Sequence, residues 1–183
     1  MKAARIHDYG GPGVLRIDDV PEPAYKSTEV LVRVRACALN HLDIWLRKGM
    51  PRAPGLPWVL GSDVAGEVVA TGEICERVRT GQRVLLSPGL SCRQCIRCLE
   101  GRDNECRAYG LLGAHYPGGN RELINVPEYA VIPIPDDLAF EDAAAAPLVF
   151  LTAWHMLIGR AGLQAGEDVL VLAASSGVGQ AAV

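Results

Sequence analysis

The chain has 183 residues, of which 49% are hydrophobic and 21% charged, and 18 basic against 21 acidic residues give a net charge of −3. The basic residues are scattered, so the positive patch expected of a nucleic-acid-binding protein is missing. No apolar run reaches the length of about 18 residues that a membrane span needs, and the start of the chain lacks a secretion signal. We therefore expect a cytoplasmic protein of one domain and part of another, without nucleic-acid or membrane partners.

Short runs rich in Val, Ile, Leu and Ala predict strands in the first half of the chain. They cover residues 2–6, 14–18, 30–37, 64–70 and 83–87. The third is the clearest, because Val32 and Val34 fall on one face and Arg33 on the other, the period of a half-buried strand. Many short strands joined by Gly and Pro turns predict a mostly β, barrel-like domain.

A helix interrupts these strands at residues 41–48. Asn40 is a suitable N-cap residue, and Gly49 is a suitable residue just past the C-terminus. The helix is therefore predicted to begin at His41 and to end at Lys48.

Four cysteines with the spacing C-x2-C-x2-C-x7-C predict a zinc site. They are Cys92, Cys95, Cys98 and Cys106. Four thiolates close a tetrahedral shell and leave no position for a substrate, so the zinc would be structural, one per chain. The alternative is two disulfides, which the short spacing disfavours. Cys37 and Cys75 remain as single thiols, interpreted as small core side chains.

The second half changes in character. Strands are predicted at residues 122–126 and 130–134, and helical spacing follows over residues 149–161. The run from Val169 to Leu172 predicts a buried strand, followed by the turn ASSGVG and the start of a helix. Such a turn can hold a pyrophosphate at the N–H groups of a helix N-terminus, although an ordinary tight turn has the same composition.

Taken together, these segments resemble the medium-chain dehydrogenases/reductases. The resemblance rests on GGPGVL, ALNHLDIWLRKG, LPWVLGSDVAGEVVATG, the cysteine segment, FEDAAAAPLVFLTAWHML and DVLVLAASSGVG. It implies a GroES-like, partly open β-barrel over residues 1–140 with a zinc lobe at 88–110. Residues 141–183 would then hold a helical connection and the first β-turn-α unit of a truncated Rossmann domain.

The resemblance also implies that the chain lacks the ligands of a catalytic zinc. Zinc alcohol dehydrogenases of this family hold a catalytic zinc through residues whose places here are taken by Asn40, Ser62 and Leu148. An amide, a hydroxyl and an alkyl group do not build a zinc shell. The chain therefore looks like the quinone oxidoreductase branch, although His41, Asp63 or His115 could supply an unconventional second site.

Without a catalytic metal, the resemblance implies hydride transfer from NAD(P)H to a quinone, an activated alkene or a carbonyl, because such an acceptor carries its own activation. NADP(H) is favoured over NAD(H). Asn40 and Asp43 are the candidate catalytic residues. The candidate cofactor-binding residues are Asn40, Thr152, Ser175, Ser176, Gly177, Val178 and Gly179. The alternatives are that Asn40 is only a helix cap and Thr152 only a helix-surface hydroxyl.

Three hypotheses remain for the whole protein, of which this sequence is expected to be an N-terminal part. The first is the reductase just described, acting on a small-molecule substrate as a homodimer or homotetramer. The second is a zinc-dependent alcohol dehydrogenase with an unconventional catalytic site. The third is a non-enzymatic binding module scaffolded by the zinc lobe.

Overall fold

The structure is a computed structural model that describes residues 1–51 and 53–183. Antiparallel strands dominate the first two thirds of the chain. The strands are β1 Lys2–Ile6, β2 Leu15–Asp19, β3 Glu29–Ala38, β4 Trp58–Val59, β5 Asp63–Thr71, β6 Arg83–Leu86, β7 Gly89–Leu90, β8 Gly110–Leu111, β9 Leu123–Pro127 and β10 Val131–Pro133. The helices are α1 His41–Lys48, α2 Ile96–Leu99, α3 Phe140–Ala145, α4 Pro147–Trp154 and α5 Gly177–Ala182.

The strands form a five-stranded sheet and two smaller ones. The large sheet has the order β10-β6-β5-β3-β9, a three-stranded sheet has the order β2-β1-β4, and β7 pairs with β8. Because alternate side chains of β3 face inward, the predicted pattern appears as buried Val30 and Val32 beside exposed Arg33. The main core lies under this sheet and includes Val64, Val68, Val84, Leu86, Ile124 and Val126.

The two larger sheets meet without closing into a complete barrel. The N–H group of Ala4 in β1 donates to the carbonyl of Asn120 at 2.8 Å, and the N–H group of Glu122 donates to that of Lys2 at 3.1 Å. These bonds attach the three-stranded sheet to the segment that leads into β9. The predicted mostly β, partly open barrel is confirmed, with sheets that do not close.

The helix α1 has the predicted bounds. Asn40 is its N-cap residue, and Gly49 adopts a left-handed backbone with φ of 83°. A side chain at Gly49 would also approach the Tyr9 ring to 2.9 Å, so glycine is required there for two reasons. The buried residues of α1 are Asp43 and Leu46, which lie on the side of the helix that packs against the rest of the protein.

The segment from Phe140 to Arg160 is mostly helical. After the short α3, α4 continues into a π-helical segment, His155–Arg160, within the predicted range. None of the helices in the described ranges is both long and apolar enough to cross a lipid bilayer.

The predicted strand from Val169 to Leu172 is wrong for this structure. These residues form no strand, and Leu170 and Leu172 are 85% and 80% exposed. A parallel strand is stable only when neighbouring strands accept its hydrogen bonds and helices cover its faces. Within residues 1–51 and 53–183, none pairs with this run. At the place of the predicted Rossmann start the structure shows only a turn and α5, and the assignment to such a domain stays a prediction.

A guanidinium group fixes the turn before α3. Arg83 in β6 donates hydrogen bonds to the carbonyls of Pro135, Asp136 and Leu138. Its guanidinium carbon also lies 4.3 Å from the centroid of the Phe140 ring. The charged donors and the cation–π contact together direct α3, and with it α4, onto the sheet.

We expect Arg83→Met to lower the free energy of unfolding by about 1–3 kcal/mol, since three carbonyls lose a charged donor while the aliphatic stem is kept. Urea denaturation measures the change. Arg79→Met, which alters an exposed arginine, is the matched control. Equal stabilities of the two variants would contradict the role given to Arg83.

Candidate functional site

The four cysteines of the zinc lobe converge as predicted. Their ligand atoms all lie within 4.8 Å of one another. The Sγ–Sγ distances are 3.5 Å for Cys95–Cys98, 3.5 Å for Cys92–Cys106 and 3.9 Å for Cys92–Cys98. Four sulfurs at 2.3 Å from one ion would be about 3.8 Å apart, whereas a disulfide requires about 2.05 Å. The arrangement therefore fits a tetrahedral zinc and not two disulfides.

The backbone around Cys92 favours the thiolate form that binds a metal. Arg93 has a left-handed backbone with φ of 60°, so the chain turns tightly after Cys92. The N–H groups of Gln94 and Cys95 then hydrogen-bond to the Cys92 sulfur, and they lower the pKa of that thiol to about 6. A thiolate that accepts backbone N–H groups is the form that binds zinc.

Tyr129 attaches the zinc lobe to the barrel. Its hydroxyl donates to the Ser91 carbonyl at 2.8 Å and accepts from the Ser91 N–H group at 3.1 Å. The Arg93 guanidinium lies 5.3 Å from the centroid of the Tyr129 ring and forms an ion pair with Asp103 at 2.7 Å. The lobe is thus anchored at its first residues.

A second polar cluster lies where β3, β5 and α4 meet. The Nδ2 of Asn40 donates to Oδ2 of Asp63 at 2.8 Å, and the backbone N–H group of Leu148 donates to Oδ1 at 2.9 Å. Thr152 donates its hydroxyl to the Leu148 carbonyl at 2.6 Å. We call Asn40, Asp63, Leu148 and Thr152 the Asp63 cluster.

Two further side chains brace this cluster. The Asp43 carboxylate accepts from the N–H groups of Asn40, at 2.8 Å, and Gly61, at 2.9 Å, so it connects α1 with the start of β5. The Ser62 hydroxyl is fully buried and donates to the Leu112 carbonyl at 2.7 Å. Asp43 therefore fixes the position of Asn40, while Ser62 is directed into the protein.

Burial dominates the electrostatics of the acids. It raises the pKa of Asp63 to about 6, against the lowering effect of the hydrogen bonds from Asn40 and Leu148, and the nearby Asp43 adds to the rise. Burial likewise raises the pKa of Asp43. Cys37, with a pKa raised to about 12 mainly by burial, is packed against the main core as expected for an inert thiol.

A cavity of about 300 Å³ opens beside Asn40. It is lined by Leu15, Leu39, Asn40, His41, Asp43, Ile44, Arg47, Leu60 and Asn120. His41 is exposed at its wall, with its ring 5.8 Å from that of Trp45. His115 is not among the lining residues, and its Nδ1 accepts from the Leu111 N–H group in a local turn.

The predicted pyrophosphate turn lies next to α4. Ser176 caps α5, since its hydroxyl accepts from the Gly179 N–H group at 3.0 Å. A side chain at Gly179 would come within 2.2 Å of the Ala173 carbonyl oxygen, and one at Gly177 within 3.1 Å of Val149. Ser175, Ser176 and Gly177 are exposed, and Val178 is half-buried. The tight glycine-bearing turn with an exposed mouth fits a dinucleotide phosphate.

Comparison with known proteins identifies the family. A sequence profile described as the alcohol dehydrogenase GroES-like domain matches residues 26–136. The chain belongs to this family. The chain is 34% identical to a quinone oxidoreductase of Homo sapiens, with 100% of the chain and 48% of that protein covered. It is 37% identical to a quinone oxidoreductase of Pseudomonas aeruginosa, with 97% of the chain and 47% of that protein covered.

Solved structures agree with this GroES-like assignment. A crystal structure of an NAD-dependent alcohol dehydrogenase is 49% identical, with a TM-score of 0.95 and coverage of 100% of this chain and 53% of that one. A cobalt- and zinc-bound thermostable alcohol dehydrogenase from Pyrobaculum aerophilum is 32% identical, with a TM-score of 0.90 and coverage of 100% and 54%. The chain thus spans about half the length of the curated relatives it matches. The chain therefore shares its family with proteins named quinone oxidoreductases and alcohol dehydrogenases, and its structure contains a cysteine cluster that fits zinc.

Sequence reasoning placed Asn40 and Asp43 at the site but underrated Asp63. It named that residue as a possible ligand of an unconventional second metal site, whereas Asp63 accepts hydrogen bonds from both Asn40 and Leu148. A signal was available, because an acid at the head of a strand that buries its next three residues must find hydrogen-bond partners. The partner Leu148 lies 85 residues further along the chain, so no local pattern could name it.

Proposed function

We propose that the whole protein transfers hydride from NADPH to a quinone, or to an activated alkene or carbonyl, without a catalytic zinc. The observation that carries the proposal is the hydrogen bonding at the three places where the zinc enzymes have ligands. Asn40 and Leu148 both donate to Asp63, and Ser62 donates to the Leu112 carbonyl. The side chains at these places are therefore a hydrogen-bonded amide, a hydrogen-bonded hydroxyl and an alkyl group, of which Leu148 donates only through its backbone N–H group.

The carboxylates near these places are already engaged in hydrogen bonds and are poor candidates for ligands of a second metal. Both carboxylate oxygens of Asp63 already accept hydrogen bonds, and Asp43 accepts two more. Within the described residues, the cysteines of the zinc lobe form the one group of three or more Cys, His, Asp or Glu with convergent ligand atoms. A catalytic zinc normally has three protein ligands. This distribution supports a reaction in which the substrate supplies its own electrophile.

The residues of the cleft then act by orientation. The nicotinamide, when bound, supplies the hydride. Asn40 has a second amide hydrogen besides the one that Asp63 accepts, and it can donate to a substrate carbonyl in the adjacent cavity. Asp63 accepts a hydrogen bond from the side-chain amide of Asn40, and Asp43 accepts one from the Asn40 backbone N–H group. The direction of the amide is therefore fixed before the substrate arrives. Thr152 lies on the same cluster, one helical turn after Leu148.

The turn of Ser175 to Gly179 would hold the pyrophosphate, and NADPH is preferred as the donor. A related zinc-binding dehydrogenase structure from Sinorhizobium meliloti, 30% identical, is bound to NADP, which supports that choice. We propose a homodimer or homotetramer in the cytoplasm, where four free thiols stay reduced for zinc.

A second candidate is a zinc-dependent alcohol dehydrogenase that uses NAD. The likeness to a solved NAD-dependent alcohol dehydrogenase at 49% identity favours it. It would require His41 and Asp63 to converge on one ion. His41 is exposed on α1 whereas Asp63 is buried with both oxygens engaged, so the first function is the better supported.

In the whole protein, we expect NADPH to reduce a quinone or an enone faster than NADP⁺ oxidises simple alcohols, because no Lewis acid would stabilise an alkoxide. Asn40→Ala should lower kcat about tenfold or more through loss of the orienting amide. Steady-state kinetics with both substrate classes measures this.

The matched control is Asn104→Ala in the exposed part of the zinc lobe, which should leave kcat unchanged. Faster alcohol oxidation that disappears with a chelator would replace the first function by the second.

A further inference from the structure

A larger cavity, of about 630 Å³, lies between the start of the zinc lobe and the edge strand β9. It shares no lining residue with the cavity beside Asn40. Neighbouring residues of the chain line the two cavities: Asn120 lines the cavity beside Asn40, and Arg121 lines the larger one. We call the larger one the Arg121 groove; its polar wall includes Lys26, Glu29, Tyr116, Arg121, Asn125 and Tyr129.

Arg121 is largely removed from water without a charged partner. One guanidinium nitrogen donates to the Pro117 carbonyl at 3.3 Å, and the buried Nε has no acceptor at all. In the part of the chain that the structure describes, no carboxylate lies within 4.0 Å of it. Burial lowers the pKa of this arginine to about 10. A partly buried cation without a counter-charge is costly, and an anion in the groove that pairs with the accessible guanidinium nitrogens would reduce that cost.

The acids that line the groove are already engaged elsewhere. Glu29 accepts from the Lys26 N–H group at 3.0 Å and from the Asn125 amide at 3.1 Å. Glu128 accepts from backbone N–H groups of the 77–78 segment at 2.6 and 3.3 Å. These carboxylates are fixed as parts of the wall and do not turn to Arg121. Their charge nonetheless opposes a second negative charge in the groove.

We propose that the Arg121 groove binds a small organic monocarboxylate with a flat apolar body, whose carboxylate pairs with the Arg121 guanidinium. The planar guanidinium matches a carboxylate in two parallel hydrogen bonds. The rings of Tyr116 and Tyr129, with Leu90 and Pro117, supply apolar surface for the body. A volume of about 630 Å³ is within the range of small-molecule sites. The two glutamates favour a monoanion over a doubly charged phosphate. This site is separate from the cleft and does not depend on the proposed reaction.

Benzoate is a suitable probe, because it combines one carboxylate with a flat apolar ring. Calorimetric titration of the zinc-loaded protein is expected to show saturable binding of benzoate, with no binding of the neutral benzamide and weaker binding of inorganic phosphate. Arg121→Met should reduce benzoate affinity at least about tenfold, and Arg121→Lys should reduce it less, since lysine keeps the charge and loses the fork. Arg16→Met, at an exposed arginine on β2, is the control and should bind as the unmodified protein does.

Two further readouts test the site itself. Amide shifts in NMR spectra should change at Tyr116 and Asn125 on addition of benzoate, and Arg121→Met should melt no lower than the unmodified protein, because the variant removes an unpaired buried charge. Benzoate binding that survives Arg121→Met, tighter binding of phosphate than of benzoate, or shifts confined to residues outside the groove would each overturn the proposal. Absence of benzoate binding to the folded Arg121→Lys and unmodified proteins alike would overturn it as well.

Discussion

Cys98→Ser is expected to unfold the zinc lobe, residues 88–110, while the five-stranded sheet stays intact. Between the short strands β7 and β8, the lobe has little structure of its own beyond the four-residue α2 and a three-residue 3-10 turn, and Ile96 and Leu99 are exposed on it. A structural zinc can contribute on the order of 10 kcal/mol to the folding of such a segment. Limited proteolysis should therefore cut within residues 88–110 much faster in the variant.

The zinc content checks the same prediction independently. Elemental analysis should find about one zinc in the unmodified chain, since one tetrahedral shell uses all four cysteines, and close to none in Cys98→Ser. Cys75→Ser is the matched control, because Cys75 lies outside the lobe and donates to the carbonyl of Glu29. Equal cleavage rates would contradict a structural metal. A second zinc lost on changing His41 or Asp63 would contradict the zinc-free reaction.

The second large effect concerns Asp63 and pH. Its pKa in the folded protein is raised from 3.8 to about 6, so the folded state binds this proton more tightly than the unfolded state does. The stabilisation is complete below the unfolded pKa and is lost as pH rises through about 6. We expect the free energy of unfolding to lose up to about 3 kcal/mol from this group between pH 4 and pH 7.

Urea denaturation of the unmodified protein and of Asp63→Asn across that pH range isolates the contribution. The free energy of unfolding of the unmodified protein minus that of Asp63→Asn should fall by up to about 3 kcal/mol as pH rises, because the variant has no proton to lose at this position. Asp43, whose pKa is also raised by burial, is present in both proteins and cancels. Asp8→Asn, at an exposed acid, should keep the pH dependence of the unmodified protein. Curves for Asp63→Asn and the unmodified protein that run parallel would exclude the raised pKa.

Much of this fold could be predicted from local sequence patterns. The bounds of α1 follow from Asn40 and Gly49, and the inward face of β3 follows from its alternation with Arg33. The zinc lobe follows from cysteine spacing alone, because ligands close in sequence need no long-range contact to converge. Each of these features is decided within about fifteen residues, which is the range over which patterns are informative.

Features that depend on distant partners could not be predicted in this way. The run Val169–Leu172 has the composition of a buried strand, but a strand forms only beside another strand. Asp63 accepts from Leu148 across 85 residues, and Arg121 shares a groove with the lobe residues Leu90 and Ser91, with its Nε buried and without an acceptor. The roles assigned to Asn40, Asp43, Thr152 and the turn of Ser175 to Gly179 remain predictions.

The exposed run at Val169–Leu172 has a consequence for handling the protein. It is short, apolar and uncharged, contains β-branched residues and lacks proline, which is the composition that drives cross-β association. Its backbone is unpaired within the described residues, so another copy can add to it as a strand. When these 183 residues are expressed by themselves, the run is therefore an aggregation hazard, which a strand that pairs with it would remove.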